Sequence, residues 1–125
     1  MKKGKLAKKR KKRSLKEILK DKAWATFSKF TRDRDKQCVT CPTGLAENAG
    51  HFWHGVLDFD PININGQCVR CNKWLSGNLN EYAIYLIKTH GLKAFTDLYD
   101  RKNLAKQGEY RTEQDYQDII NKYQL

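Results

Sequence analysis

The sequence predicts an α+β fold that is mostly helical and contains a small ββα core held together by a metal ion. Three observations predict this fold. Two Cys-x-x-Cys pairs stand at 38–41 and 68–71. The 26 residues between them are rich in glycine and contain short apolar stretches, which is typical of two short strands joined by a long loop. On both sides of this region, apolar residues recur at helical spacing.

The elements follow in chain order. Ser14 and Glu17 form a capping-box pattern at the start of a leading helix, 14–36. The core, 37–77, has a first strand at His51-Phe52-Trp53, while 56–59 belong to the loop or to the second strand. A short helix begins near Cys68 and stops by Gly77. The helical part, 78–125, contains helices at about 80–90, 92–102 and 112–124. Residues 14–125 are thus predicted to form one domain.

The positive charge is concentrated at the N-terminus. The formal charge is +11, and residues 1–22 carry twelve Lys or Arg residues against two acidic ones. Residues 1–13 are predicted to be a basic flexible arm that attracts nucleic-acid phosphates. A solubility tail or a membrane tether is the alternative, although no lipidation signal accompanies the arm. Its DNA-binding candidates are Lys8, Lys9, Arg10, Lys11, Lys12 and Arg13.

The four cysteines are predicted to bind one structural zinc ion. Two Cys-x-x-Cys pairs supply four thiolates, which complete a tetrahedral site closed to water: Cys38, Cys41, Cys68 and Cys71. A thioredoxin-type redox motif is the alternative, but it needs only one pair and a different strand and helix context. The chain has no long apolar run and no signal-peptide core, so we expect it to remain in the cytosol and to have no membrane partner.

Two polar residues suggest catalysis. His51 lies on a short strand between the cysteine pairs, and Asn72 follows the last cysteine directly. A neutral histidine can take a proton from water, while Mg²⁺ on oxygen ligands can stabilise a phosphate. Asn72 would supply one ligand, with Asp60 or Asp58 as the nearest carboxylates. In the simpler interpretation, His51 is a packed histidine and Asn72 a helix cap in a zinc-binding module.

Several stretches resemble one known family. The chain reads Ala49-Gly50-His51-Phe52, then Asn63 to Asn72 as NINGQCVRCN, then Leu75-Ser76-Gly77-Asn78. Together with Phe27-Ser28 and Arg32 to Asp35, these stretches closely resemble the phage lambda NinG/Rap recombination nuclease family over roughly residues 15–100. The looser layout is also similar to phage endonuclease VII.

The resemblance implies an endonuclease with an HNH, or His-Me finger, core. It implies action on branched recombination intermediates such as Holliday junctions and D-loops, in the cytoplasm of a bacterial host and from a phage gene. His51 would be the general base, Asn63 would brace the loop, and Mg²⁺ or Mn²⁺ would be bound by Asn72, Asp60 and Asn65. Two positions depart from these patterns: Gly50 stands where HNH enzymes usually carry Asp or His, and Asn65 where the family often has His.

Other side chains extend the expected DNA surface. Arg70 and Lys73 could contact phosphate, and Trp53 could stack on an unpaired base. Trp74 is expected mainly to pack against the zinc core, and His54 to face away from His51 on the strand.

Symmetric cutting of two strands would require a homodimer, and the arm could recruit a recombinase. The alternative functions are a non-catalytic zinc accessory protein in recombination, a sequence-specific HNH nuclease and a packaging-associated nuclease.

Overall fold

The structure, a computed structural model, describes residues 12–55, 57–104 and 110–124. The chain is a mixed α+β protein that is mostly helical, as the sequence predicts. Its elements are helix α1 (Leu15–Asp35), strands β1 (Asn48–His51) and β2 (Ile64–Gln67), a π-helical segment (Arg70–Trp74), and helices α2 (Leu79–His90), α3 (Leu92–Leu104) and α4 (Glu113–Tyr123). Among the helices of these residues, none has the length and apolar character needed to cross a membrane.

Helix α1 begins with the predicted capping box. The Ser14 hydroxyl accepts a hydrogen bond from the Glu17 backbone N–H, and the Glu17 side chain accepts one from the Ser14 backbone N–H. Ala23 and Phe27 are fully buried on the inner face of this helix, where α4 packs along it through Tyr116 and Ile120. Helix α1 is therefore held by its middle turns and by α4.

Strands β1 and β2 form a two-stranded antiparallel sheet. Its register pairs Asn48 with Gln67 and His51 with Ile64. The predicted first strand at 51–53 is too late in the chain, because β1 ends at His51. Residues 57–59, which the sequence left between loop and strand, form a turn, and Val56 lies outside the described residues.

The end of α1 is held to β2 by hydrogen bonds of Arg34 and Asp35, which also form an ion pair with each other. Arg34 and Asp35 bond each other at 2.8 Å, and Arg34 also donates to the Ile64 carbonyl at 3.1 Å. Asp35 Oδ2 accepts a hydrogen bond of 2.7 Å from the Gly66 backbone N–H. These bonds fix the position of β2 relative to the leading helix.

A second apolar cluster lies below the sheet, between α2 and α3. It consists of Phe52, Leu57, Tyr82, Leu86 and Leu98. The Tyr82 hydroxyl donates to the Gly50 carbonyl at 2.7 Å, and burial raises the pKa of this hydroxyl. Tyr82 therefore links α2 directly to the backbone of the residue before His51. The predicted bounds of α2, α3 and α4 agree with the structure to within two residues at each end.

Candidate functional site

The four cysteines form a cluster that could hold a metal ion such as zinc. Their sulfur atoms all lie within 4.8 Å of one another, and the Cys41 and Cys68 sulfurs are 3.7 Å apart. A tetrahedral zinc site with Zn–S bonds of about 2.3 Å places its sulfur atoms about 3.8 Å apart. The spacing of the thiols therefore fits zinc, and Cys38, Cys68 and Cys71 are buried.

The backbone around the cluster is arranged to stabilise thiolates. Gly44 passes so close to Cys68 that an added Cβ atom would lie 2.5 Å from the Cys68 Cβ. Hydrogen bonds from the backbone N–H groups of Thr43 and Gly44 lower the pKa of Cys41 to about 6. The Cys71 backbone N–H points at the Cys68 sulfur, at 3.4 Å. Metal binding requires deprotonated thiols. The environment of Cys41 favours this form, whereas, despite the Cys71 backbone N–H, burial and the neighbouring thiols raise the pKa of Cys68 to about 12.

His51 lies at the end of β1 among three side chains. Its Nε2 is 3.3 Å from the Asp58 carboxylate. The rings of Trp24 and His54 both stack on the imidazole, with centroid distances of 5.1 and 4.9 Å. The His51 side chain is 20% exposed. The imidazole is thus held in one orientation and remains accessible to water.

His54 is not on the opposite side of the strand from His51. That expectation assumed that β1 continues past residue 51, where alternation would separate the two rings. Because the strand stops at His51, the chain bends and brings the exposed His54 ring back onto His51.

Asn63 makes the contacts that a loop-bracing residue would make. The side chain is fully buried. Its Oδ1 accepts a 2.8 Å hydrogen bond from the Trp53 backbone N–H, and its Nδ2 donates to the carbonyls of Trp53 and Leu57, at 2.8 and 3.1 Å. One amide therefore holds both sides of the loop that carries Asp58.

Asp60 and Asn65, two expected Mg²⁺ ligands, both make hydrogen bonds inside the fold. Asp60 accepts hydrogen bonds from the backbone N–H groups of residues 62 and 63 and pairs with Arg101. Asn65 is 2% exposed; it accepts from Arg34 at 3.0 Å and donates to Tyr82 at 3.0 Å. The oxygen atoms of both side chains thus have partners inside the fold, and their assignment as Mg²⁺ ligands stays a prediction.

Asn72 is placed differently. Its side chain makes no hydrogen bond with any residue in the described part of the chain, and its Oδ1 faces Gly50, the residue before His51. A Cβ atom on Gly50 would lie 3.0 Å from Asn72 Oδ1 and 1.8 Å from Gln67 Oε1. The structure therefore brings Asn72 to the backbone beside His51, and it adds Gln67, which the sequence analysis did not select.

The basic candidates divide into two groups. Arg70 and Lys73 are exposed on the π-helical segment, and neither forms an ion pair within 12–55, 57–104 or 110–124. Of the arm, Lys12 is exposed, Arg13 pairs with Asp21, and the rest lies outside the described residues: Lys8, Lys9, Arg10 and Lys11.

The two tryptophans considered as base-stacking residues differ in exposure. Trp74 is 80% exposed rather than packed against the cysteines, because the segment after Cys71 directs it outwards. Trp53 is half-buried, and Lys102 lies 4.5 Å from its ring centroid.

Fold and site together define a small, mostly helical protein with a two-stranded sheet and a four-cysteine metal-binding cluster. The whole chain, residues 1–125, matches the family described as Bacteriophage Lambda NinG protein. The chain therefore belongs to the NinG family, as the sequence motifs indicated.

The curated relatives are phage proteins of the same name. Protein ninG of Salmonella phage P22 is 40% identical over 73 residues, which are 54% of this chain and 36% of the relative. Protein ninG of Escherichia phage lambda is 37% identical over 78 residues, 58% of this chain and 38% of the relative. The matches thus span less than two fifths of these relatives. The chain has no significant match among solved structures.

Proposed function

We propose that the chain is a metal-dependent DNA endonuclease of the HNH type that cuts branched recombination intermediates, with His51 as the general base. The observation that carries the proposal is the placement of His51, which is oriented by Asp58 and directly follows Gly50, the residue that the Asn72 oxygen faces. In support, β1, β2 and the π-helical segment follow one another around the four-cysteine cluster in the order expected of an HNH core.

The contacts of His51 suit it to proton abstraction. A neutral imidazole has one N–H donor and one acceptor nitrogen. When Nε2 donates to Asp58, Nδ1 keeps its lone pair and can accept a proton from a water molecule, which then attacks phosphorus. Asp58 also stabilises the imidazolium that forms. Stacking by Trp24 and His54 limits rotation of the ring, so its direction is set before the substrate binds.

Two metal ions belong to the proposal. Zinc on Cys38, Cys41, Cys68 and Cys71 would fix the sheet against the π-helical segment and take no part in chemistry. Mg²⁺ or Mn²⁺ held by Asn72 would supply stabilisation of negative charge on the scissile phosphate.

The exposed side chains beside the site suit DNA. Arg70 and Lys73 would neutralise phosphates without reading sequence. Trp74, with its ring largely in solvent, would stack on a base left unpaired at a branch point. The basic arm would add affinity that falls with salt. A homodimer would present two sites to two related strands, in the cytoplasm of the bacterial host and with a recombinase as a further partner.

The test is Mg²⁺-dependent cleavage of a synthetic four-way junction beside a linear duplex of matched sequence. We expect the zinc-loaded chain to cut the junction, and we expect His51→Ala to slow cutting by about 10²–10⁴-fold. His90→Ala is the matched control, because His90 is an exposed histidine at the end of α2.

Three outcomes would contradict parts of the proposal. Tight binding without cutting under any divalent metal would point to the accessory-protein alternative. Equal cutting of both substrates would remove the preference for branched DNA and leave a nuclease. Full activity of His51→Ala would remove the role of His51.

A further inference from the structure

The carbonyl oxygen of the Gln67 side chain has no hydrogen-bond partner although it is buried. Gln67 has no exposed surface, and its Oε1 is among the few buried polar atoms of the described residues without a partner. Leaving such an acceptor unpaired costs about 1–3 kcal/mol. An unpaired acceptor of this kind therefore calls for a compensating contact.

The orientation of the Gln67 amide is fixed by its other end. Nε2 donates to Thr40 Oγ1 at 3.0 Å and to the Gly77 carbonyl at 2.8 Å. Both amide hydrogens are thereby used, and a flipped amide would place an oxygen against the Gly77 carbonyl, which can only accept. Oε1 is therefore held towards Gly50.

A second oxygen converges on the same place. Both Gln67 Oε1 and Asn72 Oδ1 lie within 3.0 Å of the point where a Cβ atom of Gly50 would stand. Two acceptor oxygens that face one point repel each other unless a positive charge or a hydrogen lies between them. Because Gly50 has no side chain, both oxygens can lie close to its Cα atom without a clash.

We propose that Gln67 Oε1 and Asn72 Oδ1 bind one divalent cation beside Gly50, so that Gln67 supplies the ligand that Gly50 cannot. Amide oxygens can bind Mg²⁺ or Mn²⁺, hard cations that take oxygen ligands and complete their shells with water and phosphate oxygens. The role of this cation in cutting DNA rests on the proposed function, whereas its binding does not. Gln67 comes from β2 and Asn72 from the π-helical segment, so the cysteine cluster between them sets their separation.

The competing explanation is a rotated Asn72 amide. If its oxygen and nitrogen exchanged places, Nδ2 would donate to Gln67 Oε1 and no cation would be needed. An aspartate at position 72 separates the two explanations, since a carboxylate has no hydrogen to donate. In Asn72→Asp, the new carboxylate and Gln67 Oε1 repel each other if no cation lies between them, so removing the Gln67 oxygen relieves that repulsion. If a cation does bind there, removing the Gln67 oxygen weakens cation binding.

The experiment measures Mn²⁺ affinity of the zinc-loaded full chain without DNA, by electron paramagnetic resonance of free Mn²⁺. We expect Asn72→Asp to bind about tenfold more tightly than the unmodified chain, because a charged oxygen replaces a neutral one. In the Asn72→Asp background, Gln67→Met should weaken binding about tenfold. Gln114→Met makes the same change at an exposed position of α4 and should leave the Mn²⁺ affinity within about twofold.

A second variant acts from the other strand. Gly50→Ala places a methyl group against Gln67 Oε1 and displaces the amide while every ligand type is kept, so it should also weaken Mn²⁺ binding about tenfold. Zinc content checks that each variant is folded. If Gln67→Met does not retain zinc, the Mn²⁺ affinity of Gly50→Ala is used to test the inference instead.

Two results would overturn the inference. One is the absence of saturable Mn²⁺ binding by Asn72→Asp. The other is an affinity within about twofold after Gln67→Met or Gly50→Ala. Mn²⁺ binding that depends on Gln67, in a chain that cuts no DNA, would refute the proposed function and keep this site. Cleavage of DNA together with Mn²⁺ binding that does not change when Gln67 is replaced would support the proposed function and refute this site.

Discussion

The His51 ring has a carboxylate partner, Asp58, in addition to the two rings that stack on it. Asp58 is 32% exposed and lies 3.3 Å from His51 Nε2. Asparagine has nearly the same shape but lacks the charge that stabilises the imidazolium. We expect Asp58→Asn to slow junction cutting roughly tenfold or more.

The Asp58 effect can be separated from a loss of structure. Histidine ¹⁵N shifts should show the Nε2–H form of His51 in the unmodified chain and a mixture of ring forms in Asp58→Asn. Asp97→Asn, which alters an exposed carboxylate paired with Lys93 on α3, should change neither the shifts nor the rate. Unchanged shifts together with an unchanged rate in Asp58→Asn would exclude a positioning role.

Tyr82 matters to stability through one hydroxyl. It donates to the Gly50 and Asn63 carbonyls, at 2.7 and 3.2 Å, and accepts from Asn65. Tyr82→Phe would remove one hydrogen-bond partner from each of these buried groups and should lower the free energy of unfolding by about 1–3 kcal/mol. Urea unfolding of the zinc-loaded protein measures this. Tyr99→Phe, at a half-exposed ring, is the control and should cost far less.

At the scale of the elements, α4 supports the site indirectly, because it packs on α1, which carries Trp24. Thr112 caps α4, and hydrogen bonds with Thr112 lower the pKa of Asp115. Thr112→Ala should cost about 1 kcal/mol in urea unfolding. Thr96→Ala, within exposed α3, is the comparison and should cost less. Equal effects of the two changes would show that the cap contributes nothing particular.

For the whole molecule, the metal cluster should make stability depend on pH. The folded-state pKa of Cys41, about 6, is below the ordinary value of about 8.5. The stability contributed by this thiolate is therefore complete above about pH 8.5 and is lost as the pH falls through 6. Zinc affinity, measured by competition with a chromophoric chelator, should fall between about pH 7.5 and pH 5. An affinity that does not change over this range would contradict the prediction.

Local spacing explains what the sequence could predict. The spacing within each cysteine pair and the Ser14–Glu17 capping box are each decided within a few residues, and both are found in the structure. The hydrogen-bond partners of Asp60 and Asn65 could not be predicted from local spacing. Their partners Arg101 and Arg34 stand 41 and 31 residues away in the chain. Gln67 was overlooked for a related reason, because its unpaired oxygen becomes visible only when β1 and β2 are aligned.

The position of the cysteine pairs also has a consequence for the newly made chain. A metal ion on Cys41 and Cys68 closes a ring that contains β1, the loop with Asp58, and β2. Until an ion is captured, the entropy of that open loop opposes alignment of His51 with Asn72. The supply of zinc would then control the proposed nuclease activity. Chains without bound zinc would lack an assembled site and would not cut DNA.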